Sequence, residues 1–348
     1  MTAIERFVAE VPKVELHVHL VGSAALPTVR TLAERSPEHG VPTDLDELRA
    51  FYTFRDFAHF LEVYATVNAL VQTSADVVTL LDGLTDDLVV QRVRYAEVTV
   101  TPWTQVAAGL PYPELVEGLD EGRRRAAARG VELAWCFDIA AHLEPGNGAE
   151  TARWATEEPP DGLVGFGLGG AEVGVDRSDF ADAFDRARAA GLHSVPHAGE
   201  GAGGAAAVWT ALRSLRAERI GHGIRSIDDP ELVAHLAEHR IPLEVCPTSN
   251  VRTRVVADLA SHPLPALLDQ GVVVCINTDD PPMFGTDLGN EYRSIASAFG
   301  LGVGDLAELV ANGVRAAFLP AAAKSALLAE IGEVAKTSED AAGASAEG

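Results

Sequence analysis

The chain has 348 residues, a formal net charge of −24 and a sequence pI near 4.7. So negative a protein is repelled by nucleic-acid backbones and anionic membranes, so neither is expected as a partner. Hydrophobic residues make up 47% of the chain, enough for a large core, yet no stretch approaches the roughly 20 apolar residues of a membrane span.

The start of the chain and its cysteines indicate a cytoplasmic protein. The first residues, Met1 to Arg6, lack the basic flank and apolar core of a signal peptide. Cys136, Cys246 and Cys275 all lie in apolar segments, and an odd, buried set favours reduced thiols over a disulfide framework.

Short apolar strands alternate with segments of helical periodicity along the chain. The predicted strands are Val14–Leu20, Val93–Val100, Val131–Ile139, Leu163–Leu168, Leu192–His197, Ile220–His222, Ile241–Cys246 and Val272–Asn277. Eight strands separated by helices predict an α/β fold, a (β/α)8 TIM barrel, with residues 1–335 as a single domain. The alternative is an open doubly wound sheet, which is disfavoured because no phosphate-binding glycine fingerprint follows the first strand.

The long segment between the first two strands is predicted to hold extra helices. Five of its side chains recur at helical spacing: Phe54, Phe57, Phe60, Leu61 and Tyr64. They form either the buried stripe of a helix or an apolar lid over the barrel mouth. At the other end of the chain, residues 336–348 are rich in Ala, Gly, Ser and Glu and are predicted to be a disordered tail.

Two histidines stand two residues apart in the first predicted strand. In a strand, residues two apart share one face, so His17 and His19 would present their imidazoles side by side. That spacing suits one metal ion. A chance pair of histidines in a buried strand explains the pattern equally well, so the choice between a metal site and coincidence depends on other residues.

Acid–base and metal-ligating residues follow four more predicted strands: Glu172 after the fourth, His197 and Glu200 after the fifth, His222 after the sixth, and Asp279 and Asp280 after the eighth. Barrel enzymes build their active sites at this end of their strands. Three imidazoles and one carboxylate, with one position left for water, make a catalytic zinc site that activates the water near neutral pH. His17, His19, His197 and Asp279 supply that set. One ion is expected, since the fourth strand lacks the lysine that bridges two metals in related barrel hydrolases.

Four motifs stand in order along most of the chain: His17-x-His19-Leu20-x-Gly22-Ser23, His197-Ala198-Gly199-Glu200, Gly221-His222-Gly223 and Asn277-Thr278-Asp279-Asp280-Pro281. They resemble the motifs of the adenosine deaminase family, which implies hydrolytic deamination of the 6-amino group of a purine. The resemblance implies that the four residues named above bind one Zn²⁺ and that His222 orients and deprotonates the bound water. It further implies that Glu200 protonates N1, that Asp280 bonds N7, and that the Gly170 amide meets N3.

Elementary chemistry agrees with these implied roles. Attack at C6 pushes electrons onto N1, so an acid aimed at N1 stabilises the transition state. Asp280 must be protonated to donate to N7, and burial beside Asp279 would raise its pKa enough. Zinc deaminases of the cytidine type are excluded, because they need a Pro-Cys-x-x-Cys signature that this chain lacks.

One position departs from adenosine deaminases proper and narrows the substrate. Val21 stands where those enzymes carry an aspartate thought to hold the ribose 5′-hydroxyl, and an isopropyl group would suit an apolar 5′ substituent. The segment resembles the aminodeoxyfutalosine deaminase branch, whose nucleoside carries a 5′ chain ending in a carboxyphenyl ketone. That resemblance implies conversion of 6-amino-6-deoxyfutalosine to futalosine plus ammonia in menaquinone biosynthesis. The aromatic stripe would receive the phenyl ring, and an arginine (Arg55, Arg177 or Arg252) would pair with its carboxylate.

Two rival functions remain at this point. Deamination of adenosine to inosine in purine salvage uses the same catalytic residues. A non-catalytic, metal-stabilised binding protein is the rival from another class, and it would be favoured only if Glu200 or His222 had been replaced.

Overall fold

Parallel strands alternate with helices throughout the structure, a computed structural model that describes residues 1–55, 57–143 and 146–346. The strands are β1 (Lys13–His19), β2 (Val93–Val100), β3 (Glu132–Ala140), β4 (Leu163–Gly169), β5 (His193–Ser194), β6 (His197–Ala198), β7 (Ile220–His222), β8 (Leu243–Val245) and β9 (Val274–Ile276). The helices are α1 (Ala3–Glu10), α2 (Leu26–Arg35), α3 (Leu45–Phe51), α4 (Phe57–Asn68), α5 (Ser74–Val90), α6 (Pro102–Ala107), α7 (Tyr112–Ala128), α8 (Asn147–Glu157), α9 (Ala181–Ala189), α10 (Gly204–Ser214), α11 (Pro230–Glu238), α12 (Pro247–Arg252), α13 (Leu264–Asp269), α14 (Pro281–Phe284), α15 (Leu288–Phe299), α16 (Val303–Ala316) and α17 (Ala321–Ala346).

The strands close into a barrel. Parallel ladders join β1 to β5 in sequence order and β6 to β9 in sequence order. The last strand meets the first where the His19 amide donates to the Asp279 carbonyl at 3.0 Å and the Asp279 amide donates to the His17 carbonyl at 2.9 Å. Two predicted site residues are therefore adjacent because closure of the barrel brings them together.

The fifth strand of the barrel is interrupted. Between β5 and β6 the ladder continues on one side, where the Val195 amide donates to the Phe166 carbonyl at 2.9 Å, and on the other, where the Gly221 amide donates to the Pro196 carbonyl at 3.1 Å. Pro196 has no N–H to give to a ladder, which explains the break. Counted as one strand, β5 and β6 complete the eight-stranded TIM barrel, and that prediction is confirmed.

The last two barrel strands are shorter than the sequence predicted. The segment Ile241–Cys246 contributes only the three residues of β8, and Val272–Asn277 only the three of β9. Cys246, Val272, Val273 and Asn277 flank these strands and are also buried. Bonds at the strand ends continue the pairing, such as that from the Asn277 amide to the Val245 carbonyl at 2.9 Å. The apolar segments therefore extend further than the regular strands.

Charged side chains occupy part of the barrel interior. Arg219, which precedes β7, donates from Nε to Glu244 on β8 at 2.6 Å and pairs through Nη2 with Glu97 on β2. Because β2 and β8 are not neighbours in the barrel, these contacts cross its interior. All three side chains are almost fully buried. Removing one partner would leave an uncompensated buried charge, which costs about 3–5 kcal/mol.

The segment between β1 and β2 forms α2 to α5, as the prediction of extra helices required.

The last helix differs from prediction, because α17 continues to Ala346 through most of the segment expected to be disordered, and residues 347–348 lie outside the described range. Alanine, glutamate and lysine favour helix strongly, and Ser338 is fully buried. Across the described ranges, no helix has both the length and the apolar character needed to cross a membrane.

Candidate active site

The four predicted metal ligands converge at the carboxyl end of the barrel. Nε2 of His19 lies 3.3 Å from Nε2 of His197 and 3.2 Å from Oδ1 of Asp279. Nε2 of His17 lies 3.7 Å from the same carboxylate oxygen. His17, His19 and His197 form one group whose ligand atoms lie within 4.8 Å of one another, and His17, His222 and Asp279 form a second. Groups of this composition and spacing can hold a metal ion.

His17 is oriented as a metal ligand by a second carboxylate. Its Nδ1 lies 3.2 Å from Oε2 of Glu244. An ionised carboxylate only accepts, so Nδ1 carries the proton and Nε2 directs its lone pair into the cluster. Within the described residues Nε2 is buried and has no hydrogen-bond partner. A metal ion would satisfy this atom, so the donor set present fits the metal that the sequence predicted.

The electrostatics of the cluster favour a cation. Burial lowers the pKa of His19, but Asp279, Asp280 and Asp138 together outweigh burial and raise that pKa to about 10. The field that stabilises a proton on His19 would equally stabilise a metal ion. Burial lowers the pKa of His17 and of His197, which keeps both rings in the neutral form that ligates metals.

Unusual backbone geometry places two of the site residues. His222 has φ 58° and Asp279 has φ 67°, in the left-handed region that residues other than glycine seldom adopt. Next to His222, a Cβ on Gly221 would lie 2.9 Å from Cε1 of His17 and 3.1 Å from Cγ of His197. Glycine at 221 therefore lets two metal-ligand rings approach each other.

Glu200 is carried by a loop that a neighbouring loop holds in place. Glu172, which follows β4, accepts hydrogen bonds from the amides of Gly199 (2.7 Å), Gly201 (2.9 Å) and Gly203 (3.0 Å). Arg177 donates to Glu172 at 3.0 Å and to the carbonyl of His197 at 3.0 Å. Glu172 therefore positions the acid, and glycines supply bare amides close enough to reach it.

Burial favours the protonated form of two carboxyl groups of the site. Burial raises the pKa of Glu200, although His222 opposes the shift. Burial and the neighbouring charge of Asp279 hold the pKa of Asp280 well above its ordinary value. Oδ1 of Asp280 is buried and has no partner among the described residues. It lies against Gly22, where a Cβ would come within 1.4 Å of it.

A chain of hydrogen bonds fixes the tautomer of His222. The Leu264 amide donates to Nδ1 of His262 at 3.1 Å, and burial lowers the pKa of His262 to about 4, so its proton resides on Nε2. That Nε2 lies 3.1 Å from Oδ1 of Asn250, which therefore accepts. The Asn250 amide nitrogen then donates to Nδ1 of His222 at 3.3 Å. In its neutral form His222 carries its proton on Nε2, which lies 3.8 Å from both Glu200 and Asp279.

A cavity of about 410 Å³ opens beside the metal cluster. His19, His197 and Asp279 of the cluster line it, together with Glu200 and Asp280. Its walls are largely apolar, with Phe60, Leu61, Tyr64, Ala65, Ala107, Ala108, Leu143 and Phe284 among the lining residues. The Phe60 and Phe284 rings pack with centroids 5.1 Å apart, so α4 and α14 together roof the cavity. Of the predicted stripe, Phe60, Leu61 and Tyr64 line the cavity. Phe54 precedes α4 and packs against the Phe60 and Phe284 rings without lining the cavity, and the side chain of Phe57 lies outside the described part.

Comparison with known proteins supports the resemblance read from the motifs. The family model described as adenosine deaminase matches residues 12–334. The chain belongs to the adenosine deaminase family. The expectation of a hydrolase acting on adenine-type amino groups is confirmed.

Individual relatives refine this assignment to the adenosine deaminase family. An aminodeoxyfutalosine deaminase of Streptomyces avermitilis is 51% identical over 94% of this chain and 92% of its own length. An adenine deaminase of Cupriavidus necator is 37% identical over 94% and 93%. Among solved structures, an adenine deaminase from Arthrobacter aurescens aligns with a TM-score of 0.88, 33% identity and coverage of 94% and 99%. A zinc-containing amidohydrolase from Burkhoderia ambifaria aligns with a TM-score of 0.90, 28% identity and coverage of 99% and 96%.

Several residues predicted to contact the 5′ part of a substrate are not among those lining the cavity. Val21 is fully buried in the hydrophobic core, so the predicted contact with a 5′ group has no support from the cavity. Arg177 is bonded to Glu172, and Arg252 donates to the Phe284 carbonyl at 3.0 Å outside the cavity. Arg55 is exposed and also lies outside it. None of the three arginines offers a carboxylate partner inside the cavity.

The sequence analysis missed several residues that this member of the adenosine deaminase family places in or behind its site. They are Asp138, Glu244, Ser249, Asn250 and His262. Ser249 Oγ donates to Asp279 Oδ2 at 2.6 Å. Asp138 carried a visible signal, because an isolated carboxylate inside an otherwise apolar strand is rarely buried without a partner or a function.

The tautomer of His222 can be tested by changing Asn250. In Asn250→Asp the atom facing Nδ1 of His222 becomes an acceptor, so we expect Nδ1 to become protonated. Imidazole ¹⁵N NMR should then move the Nδ1 resonance of His222 from the unprotonated to the protonated range. The half-buried ring of His235 and the exposed ring of His239 serve as internal controls and should not change. A protonated Nδ1 in the unaltered protein would contradict the hydrogen-bond chain.

Proposed function

We propose that the chain catalyses hydrolytic deamination of the 6-amino group of aminodeoxyfutalosine, giving futalosine and ammonia in menaquinone biosynthesis. The apolar cavity beside the metal cluster carries the proposal, because it can bury a large 5′ substituent that adenosine lacks. Two Streptomyces aminodeoxyfutalosine deaminases are 51% identical to the chain, whereas the adenine deaminases among its relatives are 36–38% identical.

Zinc is the proposed metal, and His17, His19, His197 and Asp279 would hold it. Imidazole and carboxylate donors suit zinc, and the Burkhoderia ambifaria amidohydrolase with the same fold contains it. When bound, zinc would supply the Lewis acidity that activates a water near neutral pH.

The residues around the cluster suit the purine ring. Glu200, whose pKa burial raises, would give a proton to N1 as electrons arrive there from C6. Protonated Asp280 would donate to N7, which only accepts. The amide of Gly170, at the cavity wall, would donate to N3. Each contact matches one polar atom of the ring, so together they fix the orientation of C6.

His222 would orient the attacking water through its Nε2–H. The tautomer set by Asn250 presents a donor to the site. It does not fit the additional role of removing a proton from the water, because Nε2 in the neutral ring already carries one. An orienting role for His222 is therefore the one we propose.

We further infer a cytoplasmic enzyme with a small-molecule partner. Cys136, Cys246 and Cys275 are buried and free, as thiols are in a reducing compartment. In the described lining of the cavity there is no lysine or arginine, so the carboxylate of the substrate would extend through the cavity mouth toward water.

Substrate preference tests the proposal. We expect kcat/KM to be higher for adenosines with an apolar 5′ group than for adenosine, and lowest for adenine, since burying one leucine-sized group contributes about 1.5–3 kcal/mol. An ultraviolet deamination assay measures all three. Preference for adenosine would indicate purine salvage, and no turnover of any adenine compound by metal-loaded protein would indicate a binding protein.

A cavity-wall variant makes this test specific. Leu61→Ser should reduce kcat/KM for the 5′-apolar substrates by about 10-fold and leave adenosine little changed, because only the former touch the wall. Leu301→Ser removes an equally half-buried leucine away from the cavity and should alter neither. Equal losses on all substrates would place the 5′ group elsewhere.

A further inference from the structure

Asp138 is a buried carboxylate in the cavity that the roles above leave unused. It lies on β3 with only 3% of its surface exposed, yet it lines the cavity. The Thr101 hydroxyl donates to its Oδ1 at 2.5 Å. No other described residue donates to Oδ2, so half of its accepting capacity is left for a ligand.

The free oxygen lies on the cavity side of the strand. A Cβ on Gly169 would come within 2.5 Å of Oδ2 and within 3.8 Å of Cε1 of His197. Both of those residues line the same cavity. Glycine at 169 thus leaves open the space in which Oδ2 lies next to the metal cluster.

The electrostatics require a donor opposite this oxygen. Burial raises the pKa of Asp138 to about 6, with His19 opposing the shift, so the group is ionised at neutral pH. A buried carboxylate without donors loses the hydrogen bonds it would make to water. A ligand that brings a hydroxyl into the cavity would restore one of them.

The substrate class has few donors to offer. Glu200, Asp280 and the Gly170 amide are assigned to N1, N7 and N3 of the ring, and the 6-amino group lies at the reacting carbon. The remaining donors of an adenine nucleoside are its sugar hydroxyls.

We propose that Asp138 accepts a hydrogen bond from a ribose hydroxyl of the substrate through Oδ2 and so selects nucleosides that carry it. The inference rests on the proposed function, since it requires an adenine nucleoside in the cavity. Thr101 orients the carboxylate by holding Oδ1. A compound without the hydroxyl would leave the buried charge unpaired and bind less well.

Deoxynucleosides provide the test. For the unaltered enzyme, removal of the 2′- or the 3′-hydroxyl from adenosine should lower kcat/KM by about 10- to 100-fold, as expected for a hydrogen bond to a charged group. In Asp138→Asn the amide oxygen remains with Thr101, so an NH2 group replaces Oδ2 and the acceptor is lost without a change in volume. In this variant, removal of the same hydroxyl should lower kcat/KM by less than about 3-fold.

Controls separate this role from a general defect. Thr253→Val changes a cavity residue whose own hydroxyl is already bonded to the Ser249 carbonyl. In this variant, removal of the ribose hydroxyl should lower kcat/KM as much as in the unaltered enzyme. Metal content and circular dichroism check that Asp138→Asn is folded. If it is not, Thr101→Val, which frees Oδ1 to turn toward the cavity, should reduce the dependence instead.

The outcomes discriminate between the two proposals. If removal of a ribose hydroxyl lowered kcat/KM equally in the unaltered enzyme and in Asp138→Asn, the role of Asp138 would be overturned and nucleoside deamination would stand. Insensitivity of the unaltered enzyme to both deoxy substitutions would do the same. Failure to deaminate any nucleoside would overturn the proposed function together with this inference.

Discussion

Replacing Glu200 by glutamine is expected to lower kcat by about 10²- to 10⁴-fold, the usual contribution of a positioned acid. The amide has the size of the protonated carboxyl and can still donate to N1, but it cannot give up a proton. KM should therefore change little. Steady-state kinetics on the best nucleoside substrate measure both constants.

Two further measurements keep this result interpretable. Metal content should be unchanged, because Glu200 is not one of the four ligands. Glu231→Gln, which alters an exposed glutamate in the first turn of α11, should leave kcat unchanged. If Glu200→Gln retained normal kcat, the proton on N1 would have to come from another group.

Replacing Gly22 by alanine is expected to abolish most activity, although Gly22 itself is not proposed to meet the substrate. The added Cβ would lie 1.4 Å from Oδ1 and 2.4 Å from Cγ of Asp280, so the carboxyl must move. Loss of its contact with N7 alone would cost about 10- to 100-fold in kcat/KM, and displacement of the adjacent Asp279 would add to that. Kinetics and metal content together report the two effects.

A second substitution, which removes the overlapping carboxyl, tests whether the overlap with Asp280 causes the loss. Gly22→Ala combined with Asp280→Ala should regain metal binding but not activity, a coupling expected only between residues in contact. Gly332→Ala in the exposed part of α17, where a Cβ meets nothing within 4 Å, should leave activity unchanged. Normal activity of Gly22→Ala would show that Asp280 has another conformation suited to the substrate.

The metal cluster could be predicted from the sequence because its signals are local. His17 and His19 obey strand alternation, and His197 and Asp279 follow other strands whose carboxyl ends a parallel barrel brings to one side. The only further information needed is that the barrel closes, which brings Asp279 next to β1.

Side chains beyond the strand ends could not be predicted in the same way. β1 ends at His19, so alternation no longer determines where Val21 points, and it is buried in the core. Arg177 was a candidate for the substrate carboxylate, but a buried glutamate five residues earlier already binds it. Asn250 and His262 meet through the packing of a helix against a loop twelve residues later, a relation that no spacing rule encodes.

The three amide contacts of Glu172 have a consequence for how this barrel can change. Glu200, the proposed proton donor, belongs to one loop, and Glu172 of the preceding loop holds that loop through the amides of Gly199, Gly201 and Gly203. The two loops are therefore one structural unit. Transplanting either of them alone into a related barrel would separate the acid from its support, so new specificities at this mouth must arise by exchanging both segments together.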